Sequence, residues 1–125
     1  MAGPEGSKYY DIFLDYAIRL EHKKKGTVLD PFKFRLLKSI HDTGSIKLAA
    51  AESGVSYRKA WGSIEETEKL IGFKLVNRQR GGAEGGRTTL TPDGIKLIES
   101  HKELRTDFDK AIYKITRKFF HSLNE

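Results

Sequence analysis

The residues with the clearest chemical potential are Ser56-Tyr57-Arg58-Lys59, followed one helical turn later by Gly62-Ser63. Two cations and three hydroxyl groups at the head of a helical segment suit a polyanion with readable edges. An arginine there can bond bidentately to a guanine edge, and a lysine can take a base or a phosphate. A second candidate is Gly81 to Thr88, GGAEGGRT, which has phosphate-loop spacing except that Arg87 stands in the lysine position. That motif works only with a strand before the loop and a helix N-terminus aimed at the phosphates after it. Here Arg87–Leu90 reads as a strand, so nucleotide binding is rejected. A glycine-rich hairpin carrying Gly82 and Gly85, flanked by Arg78, Arg80 and Arg87, better suits contact with DNA phosphates or the minor groove. The alternative is a polar hairpin with no ligand.

Catalytic chemistry finds little support. His22, His41, His101 and His121 are scattered, with no metal-ligand spacing between them. The chain has no cysteine, which excludes a disulfide scaffold, a zinc ribbon and a thiol nucleophile. No G-x-S-x-G occurs. Neither an enzyme nor a bound metal or cofactor is expected. No apolar run approaches the ~20 residues of a membrane span, so no membrane is expected as a partner. The start, MAGPEGSKYYD, lacks an apolar stretch behind basic residues, so no signal peptide is expected and the protein is placed in the cytoplasm.

Charge supports the polyanion. The chain carries 23 Lys+Arg against 17 Asp+Glu, a net of +6. Residues 31–90 hold eleven basic and six acidic side chains, so nearly all the excess lies in the middle of the chain. A basic excess alone is weak support for nucleic acid, but a localised one indicates a surface.

Which elements would position these groups? Residues 1–8, with two Gly and a Pro, read as a disordered N-terminus. Tyr9–Leu20 alternates apolar and polar side chains and predicts a strand; Lys23-Lys24-Lys25-Gly26 is a turn, after which Thr27-Val28-Leu29 can pair back. Asp30-Pro31 is a helix start, with Asp as N-cap and Pro where its missing N–H costs nothing. That helix stops near Thr43-Gly44. Ser45 caps a short second helix to Ser53, Gly54 ends it, and Ser56 caps a third that runs to Ile71 and closes at Gly72. The period then changes from 3.6 to 2, predicting short strands over Phe73–Arg78 and Arg87–Leu90. Thr91-Pro92-Asp93 starts a last helix with no breaker before Phe120.

Two helices joined by a short glycine-containing turn and followed by a hairpin form a winged helix–turn–helix. The fold class is therefore mainly α with a small β-hairpin: residues 9–91 form the winged domain with an N-terminal strand, and residues 92–125 a long dimerisation helix. Phasing of the third helix at 100° per residue buries Ala60, Ile64, Thr67 and Ile71. Arg58, Lys59, Gly62, Glu65, Glu66 and Lys69 lie opposite, with Ser63, Leu70 and Trp61 on the borders. The basic N-terminal half is the half that meets base edges in such motifs. Ser45 and Lys47 at the preceding helix start, with the hairpin arginines, would hold the DNA backbone. Gly62 is consistent with close backbone approach to a ligand or with a tolerated surface glycine. Tyr57 falls in phase near the core but can splay outward to a phosphate or a thymine methyl, so it fits DNA contact or packing, and Trp61 reads as a core plug.

The stretch Thr43 to Leu97 resembles the N-terminal DNA-binding domain of the ModE family of molybdate-responsive regulators and, more broadly, the winged helix of LysR-type regulators. The matching features are GSI, the AA pair, GVSY, AW, the I…LIG helix ending, LV-x-R, GG-x-x-GG and LT-x-x-G. The resemblance implies a dimeric transcription factor that contacts DNA through Ser56 to Ser63 and the wing. Full ModE regulators carry molybdate-binding domains after the long helix. This chain ends at Glu125, so no oxyanion sensor is expected and molybdate responsiveness is not carried over.

From Pro92 to His121 the last helix would span roughly 45 Å, against a radius of gyration of about 14 Å for a compact chain of this length. Its apolar stripe, including Leu104, Phe108, Ile112, Ile115 and Phe119, must therefore find a partner or fold back on Tyr9–Leu20. A two-fold homodimer on a pseudo-palindromic duplex site is the expectation. The resulting reading is a sequence-specific dimeric regulator binding double-stranded DNA. Its rival is a winged-helix module for protein–protein contact with no specific DNA site.

Overall fold

The computed structural model describes residue 6, residues 8–79 and residues 86–124. Within them the order is β1 (Leu20–His22), β2 (Gly26–Leu29), α1 (Pro31–Thr43), α2 (Ile46–Glu52), α3 (Tyr57–Ile71), β3 (Val76–Gln79), β4 (Arg87–Leu90) and α4 (Pro92–Leu123). This is a helical protein with two small antiparallel hairpins, β1–β2 and β3–β4. The disordered stretch expected at residues 1–8 falls mostly outside the described residues, as do Arg80, Gly82 and Gly85 of the expected wing.

Local chemistry sets the helix boundaries. Asp30 accepts the Lys33 N–H at 2.8 Å and Pro31 occupies the first turn of α1. Gly44 closes α1 at φ 69°, a left-handed conformation that a Cβ disfavours. Ser45 accepts from Leu48 N to start α2, and Ser56 accepts from Lys59 N to start α3. Thr91 caps α4: its Oγ1 accepts the Gly94 N–H at 3.0 Å and donates to the Lys74 carbonyl at 2.9 Å. One hydroxyl thus starts the last helix and ties it to the segment leading into β3.

The chain forms two compact units, Ile18–His101 in one and the described parts of Met1–Ala17 and Lys102–Glu125 in the other. The first has its core between α1, α2 and α3, where Leu36, Ile40, Ala49 and Ala60 are fully buried and Leu29, Leu37, Ile64, Leu75 and Leu90 nearly so. Burial of each large aliphatic side chain contributes roughly 1.5–3 kcal/mol. Alanines at 49, 50 and 60 allow α2 and α3 to approach closely. β2 joins through the Thr67 hydroxyl, which donates to the Val28 carbonyl at 3.0 Å. The ring of Phe34 stacks on His101 with centroids 3.7 Å apart.

The second unit corrects one expectation. Tyr9–Leu20 is not a strand; only Leu20 enters β1, and residues 14–19 form no regular element. Its aromatic residues find partners on a helix rather than in a sheet. Tyr9 lies 6.2 Å from Phe120 and Tyr16 lies 6.2 Å from Phe108, between ring centroids. The Tyr16 hydroxyl also donates to Asp109. Arg105 sits 4.6 Å over the Tyr16 ring. Phe120 and Thr116 are buried as a result, while Leu104, Phe108, Tyr113, Ile115 and Phe119 remain exposed.

Candidate nucleic-acid interface

Helix α3 begins on Ser56, and its first turn presents Tyr57, Arg58 and Lys59 to solvent. Burial follows the predicted phase: Ala60, Ile64 and Thr67 are enclosed, and Trp61, Ser63 and Leu70 lie half-buried at the borders. Ile71, expected inside, is only partly covered because it closes the helix. Gly62 is exposed, and a Cβ built there meets nothing within 4 Å. No contact inside the protein therefore requires a glycine at this position. The exposed cations gather at the positive end of α3, and the far half of the same face carries Glu65 and Glu66.

Glu68 escaped the sequence reading. It sits four residues after Ile64 and so shares its buried face. Its Oε2 accepts the backbone N–H groups of Leu75 at 2.6 Å and Val76 at 3.2 Å, with Lys74 Nζ 3.7 Å from Oε1. A carboxylate on α3 thus fixes the first residues of the wing. The helical phase contained the signal; the acidic residue type concealed it.

The wing is fixed at three further places. Its strands pair in register, with Val76 opposite Leu90 and Arg78 opposite Thr88. Thr88 N donates to the Gly44 carbonyl at 3.0 Å, which sets β4 against the α1–α2 turn. Arg87 Nε lies 3.5 Å from where a Cβ on Gly44 would stand, so Arg87 flanks Ser45. Ser45 is half-buried and Lys47 exposed on α2. Across the wing, the Arg78 guanidinium donates to the Tyr57 hydroxyl and lies 5.0 Å from the Trp61 ring centre. The structure thus brings Arg87 to the Ser45 turn and Arg78 to the head of α3. Arg58 and Lys59 stand beside that pair with exposed side chains.

Residues 32–95 match the family of bacterial regulatory helix-turn-helix proteins, lysR family. The chain belongs to this family. The LysR-family segment covers α1 through the start of α4, and so includes the exposed basic turn and the described part of the wing. Among similar proteins, the transcriptional regulator ModE of Yersinia pestis is 42% identical over 82 residues, which are 66% of this chain and 31% of that protein. The molybdenum transport protein ModE of Azotobacter vinelandii is 33% identical over 93 residues, 74% of this chain and 34% of that protein. The chain spans about a third of the length of the curated relatives it matches. In fold it is similar to the DNA-binding domain of BenM, solved in complex with benA site 1 DNA. The TM-score is 0.53 at 19% identity, covering 68% of this chain and 90% of that one. The fold is thus the winged helix of LysR regulators.

Among the described residues no group of three or more His, Asp or Glu could hold a metal ion, and no helix is long and apolar enough to cross a membrane.

Proposed function

We propose that this chain is a sequence-specific transcriptional regulator that binds double-stranded DNA as a homodimer, without catalytic activity, in the cytoplasm where its duplex lies. The observation that carries this reading is the exposed basic first turn of α3 on a LysR-family winged helix. Arg58 and Lys59 read base edges, with Ser56, Tyr57, Gly62 and Ser63 lining the approach. Ser45 and Lys47 on one side, and the wing with Arg78, Arg80, Gly82, Gly85 and Arg87 on the other, hold the phosphate backbone. The acidic Glu65 and Glu66 at the far end of α3 favour a docking in which that end tilts away from the duplex. Two copies join through Leu104, Phe108, Ile112, Ile115 and Phe119 of α4, an apolar face left largely exposed in the single chain. A two-fold pair then requires a pseudo-palindromic site with half-sites about one or two helical turns apart.

Selection of bound sites from a random duplex library tests the whole reading. The expected result is an inverted repeat. Its affinity should fall linearly on a log–log scale with salt, with a slope of about −0.9 for each phosphate neutralised. Recovery of no preferred duplex, or an affinity indifferent to salt, would overturn it in favour of a protein–protein contact module.

A further inference from the structure

The pleat of β3 puts Arg78 on the same face as Val76, two residues before it; Val76 is buried, and Arg78 lies exposed beside the head of α3. On α3, Tyr57 and Trp61 are one turn apart and therefore present their rings side by side. The guanidinium of Arg78 lies across both, 5.8 Å from the Tyr57 ring centre and 5.0 Å from that of Trp61. It also donates from Nη2 to Tyr57 Oη. A planar guanidinium suits this place because it stacks on ring faces while its N–H fork stays in plane; a lysine cannot do both.

The hydrogen-bond arithmetic gives the arrangement a direction. Arginine only donates, so the bond from Arg78 occupies a lone pair of the Tyr57 oxygen and leaves its single O–H proton to point elsewhere. Tyr57 is 40% exposed at the head of α3, so that proton is free to be donated to a ligand approaching from solvent. A positive charge beside the phenol favours an anionic acceptor over a neutral one.

We propose that Arg78 is a positioning residue: clamped on Trp61, it aims the Tyr57 hydroxyl at a DNA phosphate oxygen and joins the wing to the recognition helix as one rigid reader. This deepens the DNA-binding reading and rests on it. Tyr57 makes the contact, and Arg78 acts through Tyr57 rather than gripping the duplex alone.

The test is a double-mutant cycle on duplex binding with the full chain, using Tyr57→Phe, Arg78→Lys and the pair. Both single changes keep the ring or the charge. Each is expected to weaken binding about tenfold, the size of one hydrogen bond to a charged group. The pair should also weaken it about tenfold, because both remove the same contact. Losses that multiply to about a hundredfold, or an Arg78→Lys variant that binds like the parent, would overturn the proposal. Loss on selected and random duplexes alike supports a phosphate acceptor; loss confined to the selected duplex overturns that assignment. Trp61 is the sole tryptophan of the chain, so its fluorescence reports the clamp directly. Arg78→Lys should change the emission of the free protein, and no change would count against the stack. If the parent chain binds no duplex at any salt, the functional reading itself fails. If it binds and only the cycle disagrees, this inference fails alone.

Discussion

The Leu75 backbone N–H points into the Glu68 carboxylate at 2.6 Å, so α3 holds the wing through an acidic side chain buried with it. Truncation of Glu68 would strand two backbone donors, at Leu75 and Val76, away from water. Glu68→Ala is expected to lower unfolding free energy by about 2–4 kcal/mol, and Glu68→Gln, which keeps an oxygen acceptor, by roughly half as much. Urea denaturation of the three proteins measures it; equal stability of parent and alanine variant would show that the bond contributes nothing.

Gly94 stands where α4 leaves the wing, and a Cβ there would lie 2.3 Å from the Leu75 carbonyl oxygen. Backbone cannot move aside as a flexible side chain can. Despite the better helix propensity of alanine, Gly94→Ala should destabilise the fold by about 1–3 kcal/mol through forced displacement. A melting temperature at or above that of the parent would contradict this close approach.

Gly62 makes the opposite case on the same fold. Its surroundings are open, so Gly62→Ala should stabilise the free protein by about 1 kcal/mol, the helix-propensity difference. If the α3 backbone lies against DNA at this turn, the same methyl weakens duplex binding. A variant that gains both stability and affinity would place Gly62 off the interface.

Substitution of Arg58 and of Arg87 tests the proposed division between reading and holding. Arg58→Ala should reduce discrimination between preferred and altered duplexes by ~1–3 kcal/mol, whereas Arg87→Ala should weaken all sequences alike and reduce the salt slope by about 1. Titrations against both duplexes at several salt concentrations distinguish them. Uniform losses from both changes would remove Arg58 from the base-reading set.

Ile115 is 59% exposed in the single chain, so a charge there costs the monomer little. In a homodimer built on α4 the same charge would be buried without a partner. Ile115→Glu should therefore shift the mass seen by light scattering from dimer to monomer while the melting of the winged unit stays unchanged. A parent chain that is monomeric at tens of micromolar would refute the dimer.

Much of the fold was legible because its signals are local. Asp30-Pro31, Ser45, Ser56 and Thr91-Pro92 act on N–H groups within three residues, and Gly44 and Gly72 answer the backbone conformation at a helix end. A reader of these residues needs no knowledge of distant chain. The exposed basic turn at Arg58 and Lys59 was legible for the same reason, because helical phase is a property of one segment. Tyr9–Leu20 misled because alternation reports only that side chains need two environments. The partner that supplied one of them, the Phe108 and Phe120 face of α4, lies about a hundred residues away in the chain.

The sequence by itself determined the helices, their caps and the location of the positive charge, all of which arise from neighbours within a turn. Only the tertiary structure decided which groups meet. Glu68 turned from an ordinary helix residue into the tie between helix and wing, and Gly94 into a steric necessity. Arg78, still exposed, came to lie beside Tyr57 and Trp61. Each depends on a contact between segments whose separation no local preference encodes, and is set by how α3, the wing and α4 pack around one core.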